Sequence, residues 1–190
     1  WVKYKTELRE VSVPTPQEAP PPAPPTEILL AKHPQAAYAK GAAFQLVSRP
    51  DNTFLFGACG DQHVGSKHYR EDVANDLYAR YGRAGVQAVF NTGNWIDGEA
   101  HFNRHDLVAH GLDTQARLLA EVYPRVPGIE TYAVWGADHE GWYANREGID
   151  VGSYVEGIMR DEGRTDWHNL GFMEAHVDLV NANTGKIAKL

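Results

Sequence analysis

The stretch that most constrains this chain runs from Thr53 to His63, an apolar run that stops abruptly at Gly60-Asp61-Gln62-His63. Thr53 to Cys59 reads as a buried strand, β-branched and aromatic at its start and small at its end. Gly60 lets the backbone turn sharply where the strand stops. Asp61 and His63 then project from the strand's C-terminal end, the edge where open α/β sheets bind ligands. A carboxylate and an imidazole two residues apart can grip one divalent cation. A turn aspartate and a surface histidine are the plainer alternative.

Two later stretches repeat the pattern. Val86 to Phe90 reads as a second buried strand and leads to Gly93-Asn94-Trp95-Ile96-Asp97-Gly98. Ile129 to Trp135 reads as a third and leads to Gly136-Ala137-Asp138-His139-Glu140. Each strand end carries a glycine followed, at once or one residue on, by side chains able to bind a metal. Parallel neighbours would bring these ends together, and turn chemistry alone does not account for three in a row. Helices are expected between the strands. One spans Tyr69 to Tyr81, with Val73, Leu77 and Tyr78 on one face. Another spans His105 to Tyr123, with Gly111 as a weak point and Pro124 as a stop. Gly148 to Arg160 follows as a third. Phe172 to Val180 alternates in part, Asn183-Thr184-Gly185 signals a turn, and Lys186 to Leu190 starts a returning strand. The alternation implies a parallel sheet core of the α/β class.

At 190 residues the chain has room for one domain and a tail. Residues 1–10 mix charge with aromatics and read as the end of an upstream region. Residues 11–51 read as a proline-rich linker and approach segment. Its run Pro20-Pro21-Pro22-Ala23-Pro24-Pro25 favours polyproline II, a stiff spacer or, alternatively, a ligand for a proline-reading protein partner. Residues 52–190 form the expected globular domain. The formal charge of −7 argues against a broad basic surface for nucleic acid. It leaves a nuclease open, because bound cations offset acidic ligands locally. No apolar run approaches the roughly 18 residues of a membrane span, so no membrane partner is expected. Cys59 is the single cysteine, which excludes an internal disulfide and suits a reducing compartment such as the cytoplasm. Its place at a strand end makes it a packed thiol first.

These motifs resemble the calcineurin-like metallophosphoesterases. That family carries Asp-X-His, then Gly-Asp-X-X-Asp, then Gly-Asn-His-Asp or Gly-Asn-His-Glu. Asp61 and His63 match the first motif. Gly93-Asn94-Trp95-Ile96-Asp97 matches the second with Asn94 at the metal-bridging aspartate. Asp138-His139-Glu140 matches the third with Asp138 at the asparagine. The phrases Asn-Trp-Ile-Asp-Gly-Glu and Asp-His-Glu-Gly-Trp-Tyr resemble the phage-encoded branch, which would put the protein in a host cell's cytoplasm. The family's later lone histidine and Gly-His-X-His have no match. Together with Trp1 in place of Met, this reads as a piece of a longer protein that holds only the N-terminal part of the domain, or, alternatively, as a truncated relic that binds metal weakly.

The resemblance implies a layered α/β sandwich. It also implies metal-assisted hydrolysis of a phosphoester by an activated water. Two divalent ions are implied, Mn²⁺ foremost, with Fe, Zn²⁺ or Mg²⁺ as alternatives. Asp61, His63, Asn94 and Asp138 fall at metal positions and His139 at the catalytic histidine near the phosphate. Asn94 and Asp138 exchange the family's residue types, so total ligand charge is kept; Asp138 then supplies the charge that Asn94 lacks, or the enzyme runs on one tight metal. Asp97 reads as a turn or supporting residue, Glu140 as one that orients a ligand or as a solvated acid. The stretch His101 to His105, including Arg104, reads as a source of phosphate contacts or as a polar helix start. Gly98-Glu99 stands where the protein phosphatases have an arginine after the residue matching Asp97. The favoured substrate is therefore a phosphodiester such as DNA. The alternatives are a protein or small-molecule phosphomonoester, and a non-catalytic interaction module on a degenerate fold.

Overall fold

The computed structural model describes residues 44–190 and the backbone of the two-residue strand β1 (Ile28–Leu29). The expected upstream region and the proline run lie outside the described residues.

Four parallel strands form the sheet that matters for function: β3 (Gly57–Cys59), β4 (Ala88–Asn91), β5 (Glu130–Trp135) and β6 (Trp167–Phe172), side by side in chain order. The crossovers carry α1 (Glu71–Ala84), α2 (Leu112–Val122), and the pair α3 (Glu140–Glu147) and α4 (Val151–Asp161). Strands laid down in one direction with crossovers of one hand must carry their helices on one face. All four helices contribute to a single apolar layer on that face, with Tyr78, Leu119, Tyr143, Val155 and Met159 packed over Val89, Ala133 and Trp135. Leu119 and Val155 are fully buried, and each such side chain contributes roughly 1.5–3 kcal/mol.

The other face of this sheet covers a second sheet. Its order is β1, β2 (Phe44–Val47), β7 (Val177–Val180), β8 (Ile187–Lys189), with β2 and β7 parallel and the outer pairs antiparallel. Phe44, Leu46 and Val177 of this sheet meet Ala88, Tyr132 and Leu170 of the first. Strand alternation divides the two cores: in β5, Tyr132 and Val134 face the sheet–sheet core, whereas Ala133 and Trp135 face the helices. The result is a mixed α/β sandwich of helix layer, parallel sheet and mixed sheet. No helix among the described residues is long and apolar enough to cross a membrane.

Several boundaries differ from the sequence reading. The first strand is only Gly57–Cys59; Thr53 to Phe56 lead into it without ladder pairing. The long helix expected from His105 begins at Leu112. Gly111, with φ +80°, is its boundary and not a weak point inside it, and a 3-10 turn at Arg104–Asp106 precedes it. Helix α4 starts at Val151, capped by the Asp150 carboxylate, which accepts from the Ser153 N–H at 2.9 Å. Helix α3 and strand β6 were not expected, and the alternating stretch from Phe172 contributes only Val177–Val180 as strand β7. Phe44 to Val47, ahead of the expected domain start, pairs along its whole length with β7. The hairpin predicted around Asn183-Thr184-Gly185 forms between β7 and β8.

Candidate metal centre

The C-terminal ends of β3, β4 and β5 lie side by side, and their loops are laced together by backbone hydrogen bonds. Asp61 N–H donates to Gly93 O at 2.9 Å, and the Gln62 and His63 N–H groups both donate to Asn94 O at 2.9 Å. Val64 and Asp97 continue the pairing: Val64 N–H reaches Trp95 O at 3.0 Å and Asp97 N–H reaches Val64 O at 2.9 Å. This lacing puts His63 beside Asp97 although 34 residues separate them.

Three residues form a compact cluster. His63, Asp97 and His139 each offer one ligand atom, all within 4.8 Å of one another. His63 Nδ1 lies 3.0 Å from Asp97 Oδ1. His139 Nδ1 donates to the Asp97 carbonyl at 2.7 Å and lies 3.8 Å from Asp97 Oδ1. The two imidazole rings meet edge to face with centroids 4.2 Å apart. Asp97 is 7 % exposed. Its other carboxylate oxygen, Oδ2, accepts from Asn103 Nδ2 at 3.1 Å, and that amide also reaches the Asp97 carbonyl at 3.2 Å.

A second convergence shares His63. Its Nε2 lies 2.9 Å from Asp61 Oδ1, and Asn94 Nδ2 donates to the same oxygen at 3.1 Å. The Asn94 amide first, and then His63, hold the Asp61 carboxyl below the usual carboxylate range. With its amide turned over, Asn94 would aim an oxygen at the same point. Donors of this kind, imidazole, carboxylate and amide oxygen, suit zinc, manganese or iron. The cluster of His63, Asp97 and His139 offers three such donors, enough for one candidate divalent ion.

The backbone here is held in an unusual state. Asp61 (φ +57°), His63 (φ +54°), Asn94 (φ +53°) and His139 (φ +45°) account for four of the six described non-glycine residues with positive φ. Such positions cost on the order of 1–3 kcal/mol each and persist where the surroundings over-determine them. Glu140 supplies much of that determination. It is fully buried, and its carboxylate accepts from Trp95 N–H at 2.7 Å, with longer bonds from Asn94 (3.3 Å), Ile96 (3.4 Å) and Gly136 (3.4 Å). Burial pushes its pKa up to about 7, against the lowering effect of these backbone donors. One carboxylate thus ties the β4 loop to the β5 loop. Glu140 is a buried brace, so the solvated-acid alternative is wrong. Gly98 completes the approach: a Cβ there would stand 2.4 Å from His139 O, so only glycine lets the two loops touch.

Not every candidate joins the cluster. Asp138 is exposed, and its side chain makes no hydrogen bond or ion pair to Asp61, His63 or Asn94 among the described contacts. Arg104 is exposed and sits 3.4 Å from Glu99 Oε1, with no hydrogen bond or ion pair to the three clustered residues among the described contacts. Asp97, expected as a turn or supporting residue, lies inside the cluster. Two supporting residues were not anticipated. Gln115 of α2, fully buried, accepts from Gly98 N–H (3.0 Å) and donates to Gly98 O (2.9 Å) and Ala109 O (3.0 Å). Asn91, 2 % exposed, donates to Gln62 Oε1 at 2.8 Å and to the Tyr123 hydroxyl at 3.1 Å, and so anchors the loop from beneath. A buried amide within an apolar helix face was the available signal for Gln115; nothing local marked Asn91. Trp167 packs in the core, 3 % exposed against Trp95 and Tyr123. Cys59 packs under the Tyr123 hydroxyl at 3.5 Å, and burial pushes its thiol pKa up.

Compared with protein families, with curated proteins and with solved structures, the chain matches none of them.

Proposed function

We propose that this chain carries the metal centre of a phosphoester hydrolase of the calcineurin-like metallophosphoesterase type, acting on phosphodiesters. The observation that carries the reading is the meeting of His63, Asp97 and His139, with Asp61 and Asn94 alongside, at three successive parallel strand ends. The order of motifs along the chain and the layered α/β architecture support the same assignment.

A divalent ion bound here would supply Lewis acidity and lower the pKa of a coordinated water. Asp61, His63 and Asn94 would hold it, with Asp97 fixing the His63 ring from the Nδ1 side. A carboxylate behind a ligating histidine sets its tautomer and orientation. His139 holds its Nδ1 proton against the Asp97 carbonyl, which leaves Nε2 for the substrate. In the protonated ring, Nε2–H would donate to a phosphoryl or leaving oxygen as negative charge develops there. Glu140 and Gln115 keep the loops in register without touching the substrate. The described donors support one ion; the second that the family resemblance implies would draw on Asp138.

The test is Mn²⁺-dependent hydrolysis of bis(nitrophenyl) phosphate, with nitrophenyl phosphate as the monoester control. Turnover should vanish with EDTA and in Asp61→Ala, and the diester should be preferred. A folded, metal-loaded sample that hydrolyses neither ester would end the hydrolase reading. Metal stoichiometry at saturation separates one ion from two.

A further inference from the structure

Beside the metal centre, a run of aromatic rings leads outward to solvent. The His139 ring lies against Trp142, with centroids 4.5 Å apart and planes tilted 36°. Trp142 in turn meets Phe102 edge to face at 5.4 Å. Phe102 is 74 % exposed, the most exposed large apolar side chain among the described residues. It is not on a loose segment. The next residue, Asn103, is 8 % exposed; it accepts from Ala100 N–H at 2.8 Å and donates to both the carbonyl and the carboxylate of Asp97. The residue that positions the cluster's carboxylate therefore also fixes the backbone next to Phe102. A phenyl ring kept for stability would turn inward, whereas this one is held largely in water next to Trp142.

We propose that Phe102 and Trp142 form a stacking subsite for a nucleobase of single-stranded nucleic acid, whose adjoining phosphate reaches the metal centre. The proposal rests on the phosphoester reading above and names the substrate class. Among phosphodiesters, a nucleic-acid strand is the class that carries a planar ring beside each phosphate, which fits rings that lead outward from His139 through Trp142 to Phe102. Exposed His101, Arg104 and His105 flank Phe102 and offer N–H donors to neighbouring phosphates. Arg104 is steadied by Glu99 at 3.4 Å yet remains 58 % exposed. Single strands are required because a base paired in a duplex has both faces covered, and aromatic stacking accepts any base. The chain's charge of −7 gives little general attraction for a polyanion, so stacking must supply much of the affinity and the salt dependence should be shallow.

The experiment measures fluorescence anisotropy of end-labelled oligothymidylate, an abasic strand of equal length and a duplex, all in EDTA so that no turnover occurs. The expected result is tighter binding of oligothymidylate than of the abasic strand by about tenfold, weak duplex binding, and loss of that preference in Phe102→Ala. Phe102→Trp should retain it. Because Phe102 is exposed, its variants should keep the wild-type melting curve, and Trp142→Ala is read only if its curve is also kept. Equal binding of the base-bearing and abasic strands, equal binding of the duplex, or a Phe102→Ala protein that keeps the preference would overturn the proposal. Wild-type hydrolysis of bis(nitrophenyl) phosphate is scored separately. Hydrolysis without base preference removes the stacking subsite alone, and base preference without hydrolysis removes the hydrolase reading alone.

Discussion

The two edges of the β3–β6 sheet meet the same backbone demand with different residues. At the N-terminal edge, the turns into β4, β5 and β6 use left-handed positions at Gly85, Gly128 and Gly163. Gly85 closes α1 in a Schellman arrangement, with Gly85 N–H on Gly82 O and Val86 N–H on Tyr81 O. Around Gly128 and Gly163 a Cβ would meet nothing within 4 Å, so glycine serves there for its conformation and not for space. At the C-terminal edge Gly65, Gly93 and Gly98 also take positive φ, but four further such positions fall on Asp61, His63, Asn94 and His139, whereas the N-terminal edge has one non-glycine case, Asn52 before β3. Glycine would relieve the strain at each and is absent. A strained position filled by a side chain with a lone pair marks what the chain retains at a cost in stability.

The sharpest way to break this comparison is to remove one convergence at a time. If the ion sits on Asp61, His63 and Asn94, Asp61→Ala should lower metal affinity by more than the 10–100-fold typical of a supporting residue, measured by calorimetric titration. His139→Ala should then leave affinity nearly unchanged while turnover falls about 100-fold or more. The reverse pattern would move the ion into the His63, Asp97 and His139 cluster.

Glu140 comes next. Glu140→Ala leaves the N–H groups of Trp95 and its neighbours buried and unanswered, and each such group costs about 1–3 kcal/mol. A urea midpoint well below wild type is expected, whereas a surface substitution at Glu147 should leave it in place. The metal-free protein also carries a pH signature. Glu140 has its folded pKa raised to about 7, above the unfolded value near 4.3. Its contribution is therefore fully present below about pH 4.3 and is lost as pH rises through 7. Midpoints at pH 5 and pH 8 should differ in that sense in the wild type and lack that component in Glu140→Gln.

These differences also explain what the sequence could reveal. The strand ends after Cys59, Asn91 and Trp135 were legible because an apolar run, a glycine and a ligand-type residue are all local signals. Strand β6 was not, because consecutive polar residues and a glycine break its apolar run: His168 is paired with Glu130 at 2.6 Å, and Asn169 accepts from Gly171 N–H at 2.9 Å. Helix α3 was hidden by its start at Glu140, directly after the distorted His139, and by its charged outer face. Strand β2 depends on pairing with β7, over 130 residues away, which no local pattern encodes. Asp61 and His63, expected from their spacing to serve one ion, lie 2.9 Å apart, but the approach of Asp97 to both histidines follows from backbone lacing between loops. The burial of Glu140 likewise depends on β4 and β5 being adjacent.

The smallest effect tests the comparison itself. Asp61→Gly and Asp61→Ala remove the same carboxylate, yet only alanine keeps a Cβ at φ +57°. Glycine should therefore be the more stable variant by about 1 kcal/mol, with metal binding lost in both. At the opposite edge, Gly163→Ala should lower stability by a similar amount, because φ there is +74°, and leave hydrolysis unchanged. Chemical denaturation of these three variants and the wild type in EDTA settles the matter. If Asp61→Ala proves as stable as Asp61→Gly, the left-handed backbone at the metal centre is held without strain, and the difference between the two edges reduces to side-chain chemistry alone.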